Sequence, residues 1–72
     1  MKSDAQINED VLNALKYEPG IREEHIGVTV HNAAVTLTGH VPNYWQKRGA
    51  KEAVKNVAGV KAVVDEIQVR LV

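Results

Sequence analysis

Tyr44 and Trp45 stand side by side just before Arg48, Lys51 and Lys55, in a chain of 72 residues that has only one other aromatic residue. Exposed aromatic rings beside lysine and arginine suit binding at a phosphate-bearing surface: indole and phenol rings settle at headgroup depth, and cationic side chains attract phosphate. Bond-making chemistry is harder to assemble. Nucleophilic catalysis needs a hydroxyl or thiol beside an oriented base; the chain has no cysteine, and its only serine, Ser3, is placed to cap a helix. The carboxylates are scattered over predicted helices and turns, so no acid–base pair is evident and no small-molecule substrate is implied.

The three histidines, His25, His31 and His40, raise the question of a metal. Zinc takes three or four protein ligands, and near His25 only Glu23 and Glu24 are close in sequence. The histidines therefore read as solvated surface side chains, with a weak pH-sensitive pair at His25 and His40 as the alternative. The sequence predicts no metal and no cofactor.

Composition narrows the class further. Nine basic and nine acidic side chains cancel, so no whole-molecule field draws the chain onto nucleic acid or anionic lipid, and electrostatic binding must be local. Nucleic-acid binding is also disfavoured because no GXXG loop joins two helices and no aromatic pair sits on a strand to stack bases. The N-terminus MKSDAQINED is charged where a signal peptide needs an apolar run, and no stretch approaches the ~20 apolar residues of a membrane span. As written, the expectation is a cytoplasmic protein, or a periplasmic one if the segment is excised from an exported parent. A chain this short buries only about 60% of its unfolded surface, so it makes one marginal domain over 1–72, or one module of a longer tandem protein.

The elements that position these residues follow from periodicity. Ser3 and Gln6 form a capping-box pair, and Ile7, Val11, Ala14 and Leu15, with Leu12 broadening the stripe, predict a helix from about Asp4 to Lys16 that Glu18-Pro19-Gly20 ends. From Ile26 the period becomes two. A two-residue loop at Asn32-Ala33 pairs His31 with Ala34, Val30 with Val35, Val28 with Leu37, Ile26 with Gly39 and His25 with His40, giving one apolar and one polar face. The tight primed turn wants positive φ at both loop residues, which alanine resists, so a longer loop is the alternative. Asn43 and Gln46 signal a second helix from about Tyr44 to Ala58, closed by Gly59, and the residues through Ile67, Val69 and Leu71 supply a third strand. The expected fold is α+β, in the order αββαβ, with a three-stranded mixed sheet and both helices packed on one face. A right-handed crossover through the second helix sets the third strand parallel to the second.

At 100° per residue, Trp45 lies about 130° from the mean direction of Ala50, Ala53, Val54 and Val57, and Tyr44 lies about 130° away on the other side. Neither points at the core, and Arg48, Lys51 and Lys55 share the outer half. The two outcomes are an interfacial patch, or a Trp45 folded back over the Pro42 turn beside a merely solvated basic face.

The order of elements, with INEDVLNALKYEPGI, IGVTVHNAAVTLTGHV and NVAGVKAVVDEIQV, resembles the BON domain, the bacterial module named for osmotically inducible and nodulation proteins. Gly39 closes its VTLTG signature and Gly59-Val60 its helix end, so both glycines are expected to be structural. The family's hairpin usually reads Asn-Gly where this chain has Asn32-Ala33, and its third strand often has Asn where Asp65 stands. The resemblance implies a non-enzymatic module, described in the family as transport-associated and as binding phospholipid or envelope components. Its expected partners are an anionic phospholipid surface or another BON-type domain, met through Tyr44, Trp45, Arg48, Lys51 and Lys55, or through an edge strand.

Overall fold

Ser3 caps the first helix: its hydroxyl accepts the Gln6 N–H at 3.2 Å, and α1 runs Asp4–Lys16. The computed structural model describes residues 2–19, 21 and 25–70; Glu23, Glu24, Gly20 and Leu71, which figure in the sequence reading, lie outside that set. Ile7, Val11 and Leu15 form the buried stripe of α1, whereas Leu12 stays 39% exposed at its margin. The helix closes at Tyr17, whose N–H reaches the carbonyl of Asn13 while the N–H of Glu18 reaches that of Leu15, ahead of Pro19.

Strands β1 (Ile26–His31) and β2 (Ala34–Val41) form the hairpin in the predicted register, from His31 opposite Ala34 to Ile26 opposite Gly39. The loop is the two-residue one. Asn32 and Ala33 take φ of 50° and 64°, the doubly left-handed form of a primed turn. An alanine held there costs about 1–2 kcal/mol. What helps fix the turn comes from a remote element: the Asp4 carboxylate accepts the N–H of Asn32 at 2.9 Å and of Ala33 at 3.0 Å. The start of α1 is thereby fastened over the hairpin turn. Its 13 residues then reach about 20 Å, matching a six-residue strand, so the helix ends near the open end of the hairpin.

Helix α2 spans Tyr44–Lys55 and stops three residues short of the predicted end. Beyond it, Val57 bonds back to Val54 and Val60 to Val57, three-residue steps that tighten the chain into turns instead of another α-turn. Gly59 follows at φ +95° and redirects the chain. The predicted third strand begins earlier than its alternation suggested and is broken in two, β3 (Ala62–Asp65) and β4 (Gln68–Val69), both parallel to β2. The break has a local cause. At the break Asp65 Oδ1 takes the N–H of Ile67 at 3.1 Å, which turns the chain locally, and the facing Gly39 holds φ +115°. An asparagine at 65 offers the same oxygen, so this departure from the family pattern leaves the turn intact. Register survives the break, since Ala34 pairs with Ala62 and Val41 with Val69, an offset of 28 on both sides (62 − 34 and 69 − 41).

The strand order is β1-β2-β3, with β4 continuing beside β2. Val35, Leu37 and Val41 of this central strand meet Ile26, Ile67, the α1 stripe, and Ala50 and Val54 of α2 in one aliphatic core. Val69, on the short β4, is 37% exposed. Among the described residues no polar or charged side chain is buried.

Candidate binding surface

Helix α2 begins where Asn43 turns extended, at φ −151° and ψ 165°, and its side-chain oxygen accepts the Gln46 N–H at 3.0 Å. That cap fixes where the first turn points. Tyr44 and Trp45 occupy it and are 68% and 63% exposed. Trp45 therefore stands clear of the core, as the helical angles require.

The rest of the surface comes from assembly. Because α1 starts at the hairpin turn and α2 starts after the last residue of β2, the end of α1 and the start of α2 share the open end of the hairpin. Side-chain geometry agrees: a Cβ added at Gly49 on α2 would lie 3.8 Å from Ile21 and 4.0 Å from Glu18, just past α1. Tyr17, 80% exposed, caps α1 at this same end. All three aromatic residues of the chain are thus outside the core and gathered at one pole. Aromatic rings usually dominate cores by their large buried area; here the core is aliphatic and all three rings lie outside it.

Tyr44, Lys47, Arg48 and Lys51 line one open groove together with Glu52 and Asp65. Lys51 and Lys55 continue into a second, where Lys61, Val60 and Val63 complete the wall. Of the five residues singled out by sequence, Tyr44, Arg48 and Lys51 therefore meet in one groove and Lys51 and Lys55 in the next. Trp45 lines neither; it projects beside the ridge, about 100° around the helix from Tyr44. Sequence reasoning missed Tyr17, Lys47 and Lys61. Lys61 is brought in by the parallel return, where its N–H bonds to the Ala33 carbonyl at 2.9 Å, so only the crossover could have pointed to it. The grooves are not purely basic, because Glu52 and Asp65 partly neutralise the first of them.

The sheet face away from the helices carries Thr29, Thr36, Thr38, His31 and His40. His25 and His40 stack there, with ring centroids 5.3 Å apart and planes at 24°. Among the described residues no group of three or more His, Cys, Asp or Glu side chains is placed to hold a metal ion. At Asp4 the carboxyl is held below the ordinary value of 3.8 by the N–H groups of Ala33 and then Asn32. No described helix is long and apolar enough to cross a membrane.

Comparison with known proteins agrees with this architecture. The family model described as BON domain matches residues 3–70. Sequence comparison with curated proteins gives no match. Among solved structures, a chain from structural studies of CdsD, a structural protein of the type III secretion system of Chlamydia trachomatis, superposes with a TM-score of 0.80 at 18% identity. The likeness covers 96% of this chain and 32% of that one, so the present chain spans about a third of that protein's length and shares its fold.

Proposed function

The chain belongs to the BON domain family, and from that membership we propose that it is a non-catalytic binding and assembly module that docks on anionic phospholipid through α2. One observation carries the reading: the exposed aromatic pole, with Tyr44 and Trp45 opening a helix whose outer side holds Arg48, Lys51 and Lys55. Amphipathic rings favour the headgroup layer, and each basic residue near an anionic surface contributes ~1 kcal/mol.

Vesicles test this with Trp45 as the reporter. In free protein its emission should be that of a water-exposed indole, readily quenched by iodide. Phosphatidylglycerol-containing vesicles should shift it to the blue and cosediment the protein, an effect that salt weakens, whereas pure phosphatidylcholine vesicles should not. Replacing Lys51 and Lys55 with glutamate should abolish the shift. A folded protein with exposed tryptophan that ignores anionic vesicles sinks the lipid reading.

A second reading rests on the sheet edge. Strand β1 pairs only with β2 among the described elements, leaving its outer edge open to a strand from a sister domain. Self-association in sedimentation velocity without lipid would favour it.

A further inference from the structure

We propose that His25 and His40 form a two-imidazole chelate for a divalent first-row transition metal, Cu(II) foremost, on the uncovered face of the sheet. The inference is independent of the lipid reading, since it uses the opposite face from α2. Its basis is the spacing of the rings, 5.3 Å between centroids. Two imidazoles on adjacent positions of one ion, with metal–nitrogen bonds of about 2.0–2.1 Å, place their centroids about 4.5 Å apart in the tetragonal shell that Cu(II) prefers and about 5 Å apart in a tetrahedral one. The rings therefore stand within about 1 Å of chelating distance. Their planes, 24° from parallel, need only rotate about the side-chain torsions to turn a nitrogen from each toward a common point.

Backbone, not side-chain packing, sets that distance. Ile26 pairs with Gly39 on one side and His40 with Gln68 on the other, so each histidine is adjacent to or within a paired strand. Gly39 makes the approach feasible: at φ +115° it brings β2 so close that any Cβ there would collide with the His25 carbonyl oxygen. Ligands held this way lose little freedom on binding, which is where much of the cost of association lies. Both rings are exposed, leaving room for an ion and its remaining waters.

The surroundings select the metal. With no third histidine or acidic group in place among the described residues, these supply two nitrogens and water completes the shell, which is unlike the closed four-ligand site of structural zinc. Arg70 and Glu66 border the concavity that His40 lines and offset one another's charge. Cu(II) stands at the top of the divalent affinity order and is well matched to imidazole. Because imidazole must be neutral to ligate, acid should release the ion by proton competition.

Titration of the whole chain with Cu(II) in a non-coordinating buffer tests the site. One equivalent should bind, raise the melting temperature and show nitrogen hyperfine coupling in its paramagnetic resonance spectrum. His25→Ala and His40→Ala should each weaken binding by about tenfold or more, the least that disturbing a metal site's ligation costs, and His31→Ala should leave it unchanged. Zn(II) added to unsubstituted protein should move the ring resonances of His25 and His40 together and spare His31, a readout that needs no variant to fold. Binding that survives loss of both His25 and His40, ring shifts shared equally by His31, or no binding beyond that of a single accessible imidazole would each overturn the proposal.

Discussion

At the scale of single residues, Asp4 links two parts of the chain that local sequence keeps apart. It lies in the first turn of α1, where a negative charge suits the helix terminus, and it receives the N–H groups of Asn32 and Ala33. Those bonds favour the charged form, so its carboxyl titrates below 3.8. A group whose folded pKa is depressed contributes stability above its unfolded pKa and loses it as pH falls through the folded one. Asp4→Asn gives up the charge at every pH. The stability gap between parent and Asp4→Asn should therefore be open and level near neutrality and narrow as pH drops below about 3.8, through the lower folded value. Thermal melts across the acid range check this, and a gap that stays open in acid would mean that the carboxylate's charge is not what holds the turn.

Among the elements, the hairpin turn is the clearest case of strain tolerated for geometry. Ala33 sits at φ 64°, where glycine avoids the ~1–2 kcal/mol that a side chain costs but adds roughly 0.4–1 kcal/mol of unfolded-state entropy. Ala33→Gly should therefore stabilise the protein by about 0.5–1 kcal/mol in urea titrations. A loss instead would show that the half-buried Ala33 methyl, packed against the core, outweighs the strain. The opposite economy appears at Gly39, where close approach to His25 and positive φ both demand glycine. At Gly59 only the backbone angle does, because an added Cβ meets Ile7 and Lys2 at ordinary contact distance.

For the whole molecule, the aliphatic core is small and β2 runs through its middle. Leu37 is fully buried there. Truncating such a leucine costs ~2–5 kcal/mol, and at 0.05–0.15 kcal/mol per residue a chain of 72 residues holds only about 4–11 kcal/mol in all. Leu37→Ala should consequently lower the melting temperature steeply or leave the chain unfolded at 37 °C, as circular dichroism would report. An unchanged cooperative melt would contradict the placement of β2 at the centre.

What the sequence determined by itself was whatever repeats locally: the period of each element, the caps at Ser3 and Asn43, and the hairpin register, which needs only a loop length and an alternation. Placing Trp45 outside the core needed no more than 100° per residue. Tertiary structure decided where distant segments meet. Asp4 reaches a turn 28 and 29 residues away, Lys61 joins Lys51 and Lys55 only because the return strand starts beside the hairpin turn, and Tyr17 shares a pole with Tyr44 and Trp45 only because α1 runs the length of the hairpin. The end of α2 and the break before Ile67 were likewise beyond periodicity. Each turns on single hydrogen bonds, Val57 to Val54 and Ile67 to Asp65, and a pattern of apolar residues reports which face is buried without saying which N–H finds which oxygen.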